Sequence, residues 1–275
     1  MNSLKAIYDK LSGDIWFYNR DEAREIAFLL LQKLWGISRT DLLIGETQHV
    51  AEELDLYIER INQGEPIQYI LGEAWFMNRR FHVNPSVLIP RPETEELVTH
   101  VSALSPKKVL DLGTGSGCIP VSIALENPEA EVFGIDISEH ALETAKRNAE
   151  EHKANVKFAL ANMLDFQNPF LVQEFDLIIS NPPYVKENEK PEMRKNVLDF
   201  EPHLALFVSD LDPLIFYRAI ADIAWKHLAP RGALWLEINS YLGKETAELF
   251  SQKGYKHVRL LKDFFGKERF LEIKK

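Results

Sequence analysis

The stretch that most constrains this chain is Val109-Leu110-Asp111-Leu112-Gly113-Thr114-Gly115-Ser116-Gly117-Cys118. A short apolar run breaks into three glycines at alternate positions. Ile119 to Glu126 then reads as helix, with Pro120 tolerable in its first turn. Glycines allow the tight backbone approach to a ligand that such a strand-to-helix corner offers. A second strand, Glu131 to Asp136, ends in an acid 23 residues beyond Gly113, about the separation expected for a carboxylate reaching ribose hydroxyls. Ser138 begins the next helix, carried by Ala141, Leu142, Ala145 and Ala149. Together these predict an α/β, Rossmann-like nucleotide site.

Two cofactor classes compete for it. A dinucleotide site usually places a third glycine for the pyrophosphate, as GxGxxG. Here the first strand carries an acid, Asp111, and the turn reads DLGTGSG. An acid there repels pyrophosphate and attracts a positively charged amino acid moiety, which favours S-adenosylmethionine. Asp111 either touches that ligand or caps the turn. A third strand, Val156 to Leu160, leads to Asn162-Met163-Leu164-Asp165. Met163 lies against an adenine ring or in the core, and Asn162 and Asp165 compete for the polar contact.

Phe175 to Ser180 is an apolar run typical of a buried strand, and Asn181-Pro182-Pro183-Tyr184 follows it. Two prolines cannot donate to a sheet ladder, so the strand stops there. Its carboxyl end, where open α/β sheets place their ligands, keeps an amide, exposed carbonyls and an aromatic ring. That set suits the grip of a planar –NH2 group, although an isolated NPP is as readily a plain strand-ending turn.

The 275 residues suffice for one large or two smaller domains, and 45% apolar content supports a substantial core. A formal net charge of -10 is a poor footprint for non-specific nucleic-acid binding, although it leaves room for a local basic groove. The single Cys118 excludes an internal disulfide framework and a multi-cysteine metal site, and is expected as a small buried residue near the ligand loop. The first ten residues lack the apolar core of a signal peptide, and no segment approaches membrane-spanning length. The expected location is the cytoplasm, with no membrane partner and no metal.

Residues 1–72 read as a helical bundle. Leu4, Ile7, Tyr8 and Leu11 recur at helical spacing. Asp21 is placed to cap a second helix running to Leu34, with Gly36 ending it. Ser38 to Asp41 starts a short third element, and a fourth helix reads from about Thr47 to Asn62. His49 reads as a surface or capping histidine, and the acids at 52, 53, 55 and 59 as a solvated face. Residues 73–92 read as a hairpin and packed hinge, with Asn78-Arg79 near the turn. Pro92 opens a helix whose first turn carries Glu93, Glu95 and Glu96. Arg91 and Thr94 are placed close to the site, Arg91 being equally a surface ion-pair residue. Residues 93–275 form the third region.

Val185 to Asp199 is polar without a strong period and reads as a loop over the site. Pro213 to Leu228 is a helix, Gly232 to Ile238 a fifth strand whose Glu237 faces the ligand end, and Lys244 to Gln252 a further helix. Val258 to Leu261 and Arg269 to Ile273 complete seven strands.

DLGTGSG, Asp136 and NPPY together resemble the class I, Rossmann-like methyltransferases that act on amino groups. GEPIQYILG, LIPRPETEELV and SNPPYV resemble more narrowly the protein-(glutamine-N5) methyltransferases that modify peptide-chain release factors, over the whole chain. The resemblance implies a mixed seven-stranded sheet preceded by a helical substrate-recognition domain, S-adenosylmethionine as cofactor, and the glutamine of a release-factor GGQ loop as acceptor. It implies that Asn181 and the Pro182 carbonyl hold the glutamine amide, with Pro183 and Tyr184 shaping the pocket. Gly113, Thr114, Gly115, Ser116 and Gly117 would wrap the cofactor, beside Asp111, Asp136, Asn162 and Met163. An acid often stands at the position of Asn162, and residues 207–212 depart from the family's glycine-rich step. Asp263, Gly266 and Arg269 resemble its closing DxxGxxR segment. A nucleic-acid amino methyltransferase is the chief rival, since a flipped base also presents a conjugated –NH2. A noncatalytic binding protein is the second.

Overall fold

A computed structural model describes residues 2–44, 47–48, 54–165 and 173–275. The chain falls into two compact units, one of residues 1–73 with 194–200 and the other of residues 74–193 with 201–275.

The first unit is helical, with helices Leu4–Asp14, Arg20–Trp35, Arg39–Ile44, Leu54–Asn62 and Ile67–Leu71. Leu4, Ile7, Leu11, Ala27, Leu30, Leu31 and Ile61 form its core, at the spacing that puts one helix face inward. Two expectations need correcting. Asn19 caps the second helix, its side chain accepting the Asp21 and Glu22 N–H groups, and Asp21 instead supplies first-turn charge. Thr47–Gln48 pairs as strand with Asn2–Ser3 rather than opening a helix. The position of His49 and the acids at 52 and 53 lie outside the described residues. Ile67–Leu71 is a further short helix, ended by Gly72 in the left-handed region.

The second unit is a sheet between helical layers. Its strands are β1 (Lys108–Leu112), β2 (Glu131–Asp136), β3 (Val156–Leu160), β4 (Phe175–Ser180), β5 (Leu228–Glu237), β6 (His257–Lys262) and β7 (Glu268–Lys274). Their order is β6-β7-β5-β4-β1-β2-β3. β7 runs antiparallel to both neighbours, and the pairs from β5 to β3 are parallel. Helices α1 (Pro92–Ser102), α2 (Cys118–Glu126), α3 (Glu139–His152), α4 (Ile215–His227) and α5 (Gly243–Lys253) flank it.

Successive side chains of a strand point to opposite faces, and the cores divide accordingly. Leu110, Leu112, Ile178, Leu234 and Leu236 pack with Ile220, Ala224 and Phe250 from α4 and α5. Val109, Leu177, Ile179 and Trp235 pack with Leu97, Val101, Val121 and Ile123 from α1 and α2, and with Phe76 and Phe81. Because β1 and β4 are neighbours while β2 and β3 continue the other way, their carboxyl ends flank the crevice where the strand order reverses.

The hairpin Glu73–Phe76/Arg79–His82 turns at Met77-Asn78, one residue earlier than expected, with φ of 50° and 58°. Two positive φ values make the two-residue turn that matches strand twist, and a methionine gives no warning of it. The expected loop at 185–199 also needs correcting. Val185–Lys186 pairs with Phe207–Val208, a 3-10 turn covers Glu187–Glu192, and Lys195–Phe200 is helical. These pieces are too short to show a period. Ser138 caps α3 by accepting the Ala141 N–H, as its position predicts.

Candidate active site

A cavity of about 320 Å³ opens at the carboxyl ends of β1, β2, β3 and β4. Gly113, Thr114, Gly115, Ser116, Asp136, Asn162, Met163, Asn181, Pro183, Arg91 and Thr94 all line it. Asp111, Gly117, Pro182 and Tyr184 are not among its lining residues, although each adjoins one in the chain or by hydrogen bond. Asp165 is exposed, and Asn162 turns its carbonyl oxygen to the Leu164 N–H at 2.9 Å.

The glycine turn is shaped by its neighbours. The Gly113 and Thr114 N–H groups both donate to the Ile135 carbonyl at 2.9 Å. Gly113 has φ of 79°, and a Cβ there would meet Met163 Cε at 3.1 Å. Gly117 has φ of 78°, and a Cβ there would lie 3.0 Å from the Ala145 Cβ, so α2 and α3 pack too closely for any side chain. Asn148 on α3, fully buried, donates to the Ser116 carbonyl at 2.8 Å and the His82 carbonyl at 3.0 Å. It also accepts the His82 N–H at 2.7 Å. Nothing local to Asn148 marks it in the sequence, because its partners lie 32 and 66 residues away.

Two carboxylates set the local charge. Asp111 is fully buried; Thr114 Oγ1 donates to its Oδ2 at 2.5 Å, and Oδ1 has no hydrogen-bond partner among the described residues. Burial pushes its pKa up to about 7, against the Thr114 hydrogen bond and helped by the nearby Asp136 charge. Asp136 accepts the Gly115 N–H at 2.8 Å and the Ser138 N–H at 2.9 Å, one on each oxygen. Burial raises its pKa, and these backbone donors oppose the rise. Each oxygen keeps a second lone pair. Arg91, the one cation on the cavity wall among the described residues, is held by Glu201 at 2.6 Å. A pyrophosphate would therefore meet the Asp136 carboxylate on the wall beside a cation already paired, whereas a sulfonium or ammonium group meets complementary charge. The orphaned Asp111 oxygen and the Gly113 position, where a Cβ would crowd Met163, both fit S-adenosylmethionine.

At the end of β4, Ser180 Oγ donates to the Leu112 carbonyl at 2.6 Å, tying β4 to β1 immediately before Asn181. Asn181 Nδ2 donates to Thr94 Oγ1 at 3.2 Å. Thr94, 3% exposed, donates in turn to Glu237 Oε2 at 2.7 Å. Tyr184 donates its phenol proton to Glu237 Oε1 at 2.9 Å. Glu237, at the end of β5, thus receives two hydroxyls on its two oxygens. Burial pushes its pKa up, opposed by Thr94, Tyr184 and the charge of Arg269. Burial and the Glu237 charge hold the Tyr184 phenol well above its ordinary value, so it stays protonated. Arg269 itself donates to Asp263 Oδ2 at 3.3 Å, which gives the closing Asp263–Arg269 segment its place in this network. Asn239 donates to the Tyr184 carbonyl at 3.0 Å and to Glu189 at 2.9 Å, fixing the start of the 185–189 segment. Asn181 and Tyr184 are legible from the NPPY stretch, Thr94 from its place beside the hinge and Glu237 from its strand end; the hydrogen bonds that join them are not, because their partners lie 53 to 143 residues apart.

Cys118 lines the cavity, and burial pushes its thiol up to about 12, so it serves as a small buried residue. Among the described residues no His, Cys, Asp or Glu cluster could hold a metal ion, and no helix is long and apolar enough to cross a membrane.

Solved structures share this fold. A methyltransferase from Pyrococcus furiosus matches with TM-score 0.52 at 20% identity, over 80% of this chain and 97% of that one. A 16S rRNA N2 G1207 methyltransferase from Thermus thermophilus, in complex with AdoMet and guanosine, matches with TM-score 0.53 at 19% identity, over 74% and 49%. Residues 18–72 match the family described as PrmC N-terminal domain, and residues 104–228 that described as methyltransferase domain. A release factor glutamine methyltransferase from Flavobacterium psychrophilum is 44% identical over 99% of this chain and 95% of that protein. One from Bacteroides thetaiotaomicron is 42% identical over 98% and 99%. With those matches covering nearly the full length of this chain and of each relative, the chain belongs to the release factor glutamine methyltransferase family.

Proposed function

We propose that this protein transfers the methyl group of S-adenosylmethionine to the side-chain amide nitrogen of the glutamine in the GGQ loop of a peptide-chain release factor. The observation that carries this reading is the shared cavity. Asn181, at the end of β4, and the glycine turn, at the end of β1, line one space of about 320 Å³. A donor held on one wall and an acceptor amide held on the other can therefore face each other there.

S-adenosylmethionine supplies an electrophilic methyl on a positively charged sulfur. The backbone from Gly113 to Gly117 would wrap it, with Asp111 drawing its cationic amino acid end through charge. Asp136 would offer its remaining lone pairs to the ribose hydroxyls, and Met163 and Asn162 would hold the base.

The chain must make a poor nucleophile competent, because an amide nitrogen shares its lone pair with the carbonyl. Asn181 Oδ1 and the Pro182 carbonyl accept the two N–H bonds of the incoming glutamine, orienting the nitrogen in line with the methyl. Those acceptors also stabilise the positive charge that grows on nitrogen as the bond forms. The proton leaves afterwards to water. Pro183 shapes the wall beside them. Tyr184 acts from behind it, through Glu237, and Arg91 and Thr94 support the wall from the hinge. The helical unit, residues 1–72, recognises the release factor at a distance from the loop, in a reaction placed in the cytoplasm with no membrane or nucleic-acid substrate.

Purified protein with labelled cofactor is incubated with intact release factor, its Gln-to-Ala loop variant, and DNA. Label is expected on the intact factor alone; label on DNA, or undiminished label on the loop variant, rejects the reading.

A further inference from the structure

We propose that Glu237 is a positioning residue that fixes which end of the Asn181 amide faces the cavity, and so selects an acceptor that donates N–H. This deepens the methyl-transfer reading above and rests on it for the identity of the acceptor.

Hydrogen-bond polarity sets the direction of the amide. An asparagine side chain is nearly symmetric in shape, so packing alone hardly distinguishes Oδ1 from Nδ2. The relay does distinguish them. Glu237 takes a hydroxyl on each oxygen, Thr94 at 2.7 Å and Tyr184 at 2.9 Å, which is the pattern of an ionised, acceptor-only carboxylate. Thr94 has a single hydroxyl proton, and it is committed to Glu237. Its oxygen can then meet Asn181 only as an acceptor, so Asn181 must present Nδ2, as the 3.2 Å contact has it. Oδ1 is left to the cavity that Asn181 lines.

A carbonyl-type oxygen in that place accepts from an –NH2 group. The opposite orientation would present N–H bonds, which repel an amide nitrogen and favour its oxygen. Arg269, beside Glu237 and itself held by Asp263, stabilises the ionised form on which the polarity depends. The relay gathers Thr94 from α1, Glu237 from β5 and Tyr184 from the NPPY stretch, so three distant segments agree on the direction of one amide.

Glutamine at 237 offers one acceptor where the carboxylate offers two, and one of the two hydroxyls must turn round. Valine at 94 keeps the shape and removes the relay. Full-length wild type, Glu237→Gln, Thr94→Val, Thr94→Ser and the Glu237→Gln/Thr94→Val double variant are compared on intact release factor. Glu237→Gln and Thr94→Val should each lower kcat about 100-fold, with cofactor Kd by calorimetry and KM for release factor within about threefold. Thr94→Ser should stay near wild type, and the double variant should be no worse than the worse single one. Independently of activity, the Asn181 side-chain N–H signals in 15N-asparagine-labelled protein should show slow exchange in wild type and Thr94→Ser, and fast exchange in Thr94→Val and Glu237→Gln. A kcat within threefold of wild type for either single variant, losses that multiply in the double, or unchanged exchange overturns the proposal. A wild type that labels no release factor rejects the acceptor assignment instead, and the exchange measurement still decides the polarity of the amide.

Discussion

Arg91 Nη2 donates to Glu201 Oε1 at 2.6 Å, joining two segments 110 residues apart in sequence along one wall of the cavity. The Glu201 side chain is 1% exposed and also accepts the Ile89 N–H at 3.2 Å, whereas Arg91 is 31% exposed. Removing one partner of such a pair leaves a buried charge without compensation, so Arg91→Ala should destabilise by about 1–3 kcal/mol, less than for a fully buried pair because Arg91 reaches water. Adding Glu201→Gln should recover part of that loss. Urea unfolding of the two single variants and the double variant measures the coupling.

Asp111 makes stability depend on pH in a definite direction. Its native pKa, about 7, stands above the ordinary carboxyl value of 3.8, so the native state binds the proton more tightly than the unfolded chain. That contribution is complete below pH 3.8 and fades as the pH rises through 7. Asp111→Asn should therefore be more stable than wild type at pH 8, by at most about 4 kcal/mol at about 1.4 kcal/mol per pH unit, and the gap should close by pH 4. Cofactor affinity should move the other way. In wild type it should weaken as the pH falls below 7, and in the variant it should be weak and flat. Thermal unfolding and calorimetry across pH 4–8 test both.

Gly115 and Gly117 have positive φ for different reasons. A Cβ at Gly115 would meet nothing within 4 Å, whereas one at Gly117 would crowd Ala145 at 3.0 Å. Gly115→Ala should cost about 1 kcal/mol of backbone strain and fall chiefly on cofactor Kd. Gly117→Ala adds overpacking and should cost about 2–4 kcal/mol of stability. Denaturant midpoints beside calorimetric Kd values separate the two.

Asn148→Leu removes a buried amide that serves the Ser116 carbonyl and both backbone groups of His82. Leaving those groups without partners should cost about 2–4 kcal/mol. The glycine turn should loosen with them, raising cofactor Kd several-fold. Hydrogen exchange at residues 113–117 should increase in the same variant.

The sequence showed the scaffold of the site far better than its wiring. The strand, the glycine turn and Asp136 are local, and each was readable from a few residues. Asn181 was placed by the two prolines that end β4. Asn148, Glu201 and Thr94 act through partners 32, 110 and 143 residues away, which no local pattern encodes. Where local reading went astray, the competing signals were close. Asn19 and Asp21 both suit a helix cap, and the hairpin turn rests on a positive φ at Met77, a residue with no preference for it. The pairing of Val185–Lys186 with Phe207–Val208 involves too few residues for alternation to register.

β7 runs against its neighbours, so its amino end rather than its carboxyl end reaches the ligand edge of the sheet. That reversal is what brings Arg269 beside Glu237, where a parallel strand would have delivered Lys274. It also sets an order of assembly. Every other member of the relay, from Thr94 to Glu237, precedes Arg269 in the chain. During synthesis the Thr94–Glu237–Tyr184 relay therefore meets its countercharge only with the last strand, and a nascent chain halted after β6 lacks the cation that opposes the raised pKa of the buried Glu237 carboxylate.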